Sequence, residues 1–118
     1  MNDTVNTMLA KKAEGLALDG ISHVMDSSND KFSLLNAFSS LIVIEAIFRK
    51  LQWTSELRIF PDANAKLNDV AEISRLFTGS IGRSNLNRLT PDELNAVQNN
   101  LTDYFEKIIE TIEQMTKS

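Results

Sequence analysis

His23 is the only histidine among 118 residues, and there is no cysteine. Composition therefore excludes disulfides, thiolate metal sites and a cysteine nucleophile, and it leaves zinc chemistry almost no ligands. A phosphotransfer histidine sits on a helical bundle and has a lysine and a glycine shortly after it, whereas Val24, Met25, Asp26 and Ser27 follow His23. On a helical wheel His23 borders an apolar stripe near Leu16, so a structural role is expected for it.

The acids are equally poor in chemistry. Asp103, Glu106, Glu110 and Glu113 recur at helical spacing, but carboxylate-bridged metal bundles need inward glutamates and paired Glu-x-x-His units, and Gly20 stands three positions before the lone histidine. Asp26, Ser28 and Asp30 open like a calcium loop, yet Lys31 stands where glycine is needed and Ala37 where the bidentate glutamate is needed. From Gly79 to Ser84 the backbone could turn N–H groups toward an anion, but no Walker lysine is present and no strand precedes the segment. No metal site, cofactor motif, nucleophile or acid-base constellation can be assembled, and a non-enzymatic protein is the expectation.

Two patterns keep some chemical interest. Glu45 falls on the most apolar arc of its helix, among Leu34, Phe38, Leu41, Ile42 and Phe48. One reading pairs it with Arg49 a turn later, both heads at the rim, for roughly 0.3 to 0.5 kcal/mol. The other makes it a polar specificity element in a subunit interface or cavity, where an unpaired charge is strongly unfavourable. Glu45, Arg49, Phe38 and Phe48 are accordingly the candidate interaction residues.

The second pattern is basic. Ile73 to Pro91 carries Arg75, Arg83 and Arg88 with no acid, while Thr90 to Ser118 has Asp92, Glu93, Asp103, Glu106, Glu110 and Glu113 against Lys107 and Lys117, which accounts for the net charge of -4. Residues 69–89 can be laid on a helix-turn-helix, with Ile81, Leu86 and Leu89 inward and Arg83, Ser84, Asn85, Asn87 and Arg88 on a recognition helix. Arg75, Arg83, Asn85 and Arg88 are then the nucleic-acid candidates. The turn glycine comes about four residues late for the motif, Gly82 weakens the second helix, and the chain is acidic overall. A DNA-binding regulator is the alternative to the leading expectation, a regulatory or adaptor protein that binds another protein through apolar helix faces and forms a homodimer.

Helices must position these residues. A first helix is capped by Asp3 or Thr4 and runs to about Met25, with small residues Ala10, Ala13, Ala17 and Gly20 on its apolar stripe, and Gly15 and Gly20, which lower helix propensity, are expected to serve close packing. A polar cluster from Asp26 to Asp30 precedes a second helix to about Leu51, apolar on most of its circumference and so expected to be central or covered by a second subunit. Trp53 to Phe60 reads either as a short helix or as an extended connection, and a third helix spans Asp62 to Thr78. Thr90, Pro91 and Glu93 spell a capping box that opens a long amphipathic last helix with Leu94, Val97, Leu101, Tyr104, Ile108, Ile112 and Met115 on one side. The expected fold is an all-α single domain over 1–118, a bundle of four or five helices. Phe32 to Phe48 is too interrupted by polar residues to span a membrane, and the segment MNDTVNTML lacks the charge pattern of a secretory signal, so a cytoplasmic location is expected.

Overall fold

A computed structural model describes residues 4–51, 74–75, 77–78 and 81–117. Among them the regular elements are α1 (Thr4–Asp26), α2 (Ser33–Leu51), α3 (Gly82–Asn87) and α4 (Pro91–Lys117), with helical stretches at 74–75 and 77–78 and no strand. The connection expected at 53–60, most of the expected third helix and the cap at Asp3 lie outside the described residues. No described helix is long and apolar enough to cross a membrane.

The polar cluster after α1 is spent on turns. The Ser27 N–H bonds back to the His23 and Val24 carbonyls, tightening the helix end, and the Ser27 hydroxyl donates to the Val24 carbonyl while accepting from Gln98 Nε2 of α4 at 2.8 Å. Asp30 Oδ1 accepts the Phe32 N–H at 3.0 Å, an Asx-type turn that starts α2 at Ser33 rather than at Asp30. Arg49 and Lys50 occupy the last turn of α2, where cations suit the negative end of the helix dipole.

Among the described elements, α1 is the helix that packs against both α2 and α4. Its inner face explains this. Ala10, Ala13 and Ala17 are fully buried, and a Cβ added at Gly20 would overlap the Phe105 ring. Such a face lets two neighbours approach closely, and they supply the bulk of the core: Phe38, Phe48, Leu41 and Ile44 from α2, Phe105, Ile108 and Ile112 from α4. The two glycines of α1 differ, because Gly15 is exposed with nothing within 4 Å of an added Cβ.

The start of α4 follows from its capping box. Glu93 N–H donates to Thr90 Oγ1 at 3.1 Å, and the Thr90 N–H donates to Glu93 Oε1 at 2.9 Å. The Thr90 backbone N–H, and after it the Thr90 side chain, hold the Glu93 carboxyl below the usual carboxylate range. Along α4, Leu101, Tyr104, Phe105, Ile108 and Ile112 are buried while Asp103, Glu106, Glu110 and Glu113 are exposed.

Candidate functional site

The charge on the apolar arc of α2 is buried. Glu45 is 3% exposed, and its carboxylate is held from two directions. Arg75 Nη2 donates to Oε2 at 2.7 Å, from a residue thirty positions on in the chain. Arg49 Nη2 lies 2.6 Å from Oε1, but among the described residues no donor is aligned on that oxygen. The Arg49 contact is therefore Coulombic and the Arg75 contact directional, and the second is the stronger of the two. Both guanidinium groups reach in from solvent, with 63% of the Arg49 side chain and 49% of the Arg75 side chain exposed. The pairing of Glu45 with Arg49 is present as the spacing suggests, but the carboxylate is not at a rim, and Arg75 completes the site.

Arg75 brings its neighbours with it. Phe77 stacks on Phe38 with ring centroids 4.6 Å apart and planes 12° from parallel. A Cβ at Gly82 would overlap the Phe77 backbone carbonyl, so glycine is needed for α3 to start against that turn. Gly82 and Leu86, one turn apart, are the buried residues of α3, which leaves Ile81 63% exposed rather than inward as the helix-turn-helix alignment requires. Arg83 places its guanidinium 4.6 Å from the centroid of the Phe32 ring. Arg75, Phe77 and Arg83 are thus tied to α2 and its leading turn by an ion pair, a ring stack and a cation–π contact.

The sequence-derived candidates are distributed accordingly. Phe38, Phe48 and Glu45 face the chain's own core, and Arg49 alone of that set is exposed. Of the nucleic-acid candidates, Arg75 is engaged by Glu45 and Arg83 by Phe32, Asn85 is half-buried, and Arg88 is exposed. α3 has six residues, fewer than two turns, which is short for a helix laid in a major groove.

What the sequence reading passed over is the outer face of α1. Met8 is 67% exposed, Leu18 54% and Met25 70%, while Ala10, Ala13, Ala17, Gly20 and Val24 are buried on the inner face. The signal was available in the residues the inner stripe leaves out: once Ala10, Ala13, Ala17 and Gly20 are assigned inward, Met8, Leu18 and Met25 fall on the other side of the helix. Comparisons with known protein families, with characterised proteins and with solved structures return no match to the chain.

Proposed function

We propose that this chain is a small regulatory or adaptor protein of the cytoplasm that acts without catalysis, by binding protein through apolar helix faces. The reading takes the chain as one bundle of four or five helices whose long amphipathic last helix turns its acids to solvent. The observation that supports it is the outer face of α1, where Met8, Leu18 and Met25 are exposed on the side opposite the buried Ala10, Ala13, Ala17, Gly20 and Val24. Full burial of a large apolar side chain stabilises by about 1.5 to 3 kcal/mol, and this helix leaves three of them in water. A partner that covers the face recovers that contribution.

The test is photo-crosslinking in the native cell from a reactive group at Ser22, which lies on the same face. The expected result is a discrete crosslinked protein that disappears when Leu18→Glu or Met25→Glu is added, with helix content by circular dichroism unchanged. Crosslinking that is indifferent to both substitutions refutes the role of this face.

A further inference from the structure

We infer that the occupant of the outer α1 face is a second copy of this chain, laid antiparallel across a two-fold axis midway between Gly15 and Leu18. The inference rests on the protein-binding reading above. Met8, Lys11, Gly15, Leu18, Ser22 and Met25 are all exposed, and they follow one another at alternating spacings of three and four, the seam of a paired helix.

The seam is complementary to its own reverse. Turned about the axis, Met8 meets Met25, Lys11 meets Ser22 and Gly15 meets Leu18, each pair equidistant from the centre. Nothing stands within 4 Å of a Cβ built on Gly15, so this position is a hole, and the reversal brings the branched Leu18 of the partner subunit to it. By symmetry the same contact forms twice. An exposed glycine mid-helix lowers helix propensity, and close approach of a second helix supplies its reason.

Charge selects the direction. Beside the seam, exposed Lys12 comes within a turn of Asp19 of the partner subunit when the helices run antiparallel, and the symmetry makes two such pairs. A parallel pairing in register sets Lys11 against Lys11 of the partner subunit and Glu14 beside Asp19 of the partner subunit, like charges in both places. Lys11 opposite Ser22 of the partner subunit lies along the seam by its aliphatic stem with its ammonium at the edge.

The chain has no cysteine, so single cysteines report this geometry directly. Met8→Cys and Met25→Cys are prepared separately, each at an exposed position, then mixed and oxidised gently. The antiparallel dimer gives the mixed disulfide as the main product and little from either variant alone. In a parallel dimer the two sites lie about 25 Å apart and each variant crosslinks to itself instead. By sedimentation the parent chain dissociates on dilution, Leu18→Glu raises the dimer Kd by at least about tenfold, Lys12→Glu and Asp19→Lys each weaken the dimer, and the double exchange restores it. Same-site disulfides, or a parent chain that stays monomeric at high micromolar concentration, overturn the inference. If the chain is monomeric while its cellular crosslink still depends on Leu18, the second copy is ruled out as occupant and the protein-binding reading stands.

Discussion

Replacing Arg75 with alanine removes the donor that, among the described residues, is aligned on the Glu45 carboxylate, at 2.7 Å, and leaves a side chain that is 3% exposed. Stripping one partner from a fully buried ion pair is unfavourable by about 3 to 5 kcal/mol. Two features reduce that figure. Half of the Arg75 side chain is already in solvent, and Arg49 remains 2.6 Å from the other oxygen. What remains is the loss of a charge-assisted hydrogen bond, about 2 kcal/mol, or about 8 °C in Tm for a chain of this length. Arg49→Ala removes only an exposed Coulombic contact and should shift stability by about 0.5 kcal/mol. The decisive assay is a double-mutant cycle by urea unfolding. Glu45→Met keeps the volume and removes the charge, so Arg75→Ala in that background should shift stability by less than about 0.5 kcal/mol, a coupling of about 1.5 kcal/mol. If the two substitutions are additive, the carboxylate does not hold Arg75 against α2, and the account of the site fails.

The capping box and the glycines of α1 give sharper local tests. Thr90→Ala should destabilise by about 1 kcal/mol, read by urea unfolding. The folded Glu93 carboxyl lies below the ordinary range, so its contribution is complete above the unfolded pKa and is lost as pH falls through the folded value. Stability-pH curves of the parent and Glu93→Gln should therefore converge in acid, and a constant gap counts against the box. Gly20→Ala gains about 1 kcal/mol of helix propensity but drives a methyl into the fully buried Phe105 ring, so the net effect should be a loss of about 1 to 2 kcal/mol, whereas Gly15→Ala meets nothing within its own chain and should stabilise the monomer by up to about 1 kcal/mol. Equal effects at the two sites would contradict the packing of α1. Duplex DNA at near-physiological salt should bind no tighter than roughly 10⁻⁴ to 10⁻⁶ M, because Arg75 and Arg83 are engaged within the chain. Nanomolar, sequence-dependent affinity lost on Arg83→Ala would restore the DNA reading.

Legibility tracked the range of the interaction. The capping box at Thr90 and Glu93 and the end of α2 at Arg49 and Lys50 are written in adjacent residues, and the structure has both. The anomaly at Glu45 was equally visible, since a carboxylate among phenylalanines and leucines breaks the period of its own helix. Its resolution was not, because Arg75 lies thirty positions away and nothing local to it distinguishes a buried partner from a phosphate contact. The same holds for Phe105, which sits beside Tyr104 in sequence and is fully buried against α1 only because Gly20 makes room for its ring. Periodicity puts Gly20 on the inner stripe and Gly15 off it but does not say how near a neighbour comes, so only the structure shows Phe105 against the one and open space at the other.

That difference bears on what the molecule is built to do. The inner face of α1 combines Ala10, Ala13, Ala17 and Gly20 with Val24, and Phe38, Phe48, Phe105 and the isoleucines of α2 and α4 are laid over it. For a protein selected only to stay folded, Leu18 would do more if it pointed inward, since each buried branched side chain stabilises by about 1.5 to 3 kcal/mol. α1 packs Leu9, Leu16, Ile21 and Val24 with its alanines against the core and leaves Met8, Leu18 and Met25 outside, around a glycine with open space above it. The inner choice lets Phe105 pack over Gly20, while the outer one does nothing for the isolated fold. Both make sense together if α1 is a helix with two packing faces, one closed by α2 and α4 and the other closed on association. The buried Glu45 ties Arg75 to α2, and the Phe77 ring stacked on Phe38 holds the same turn against it.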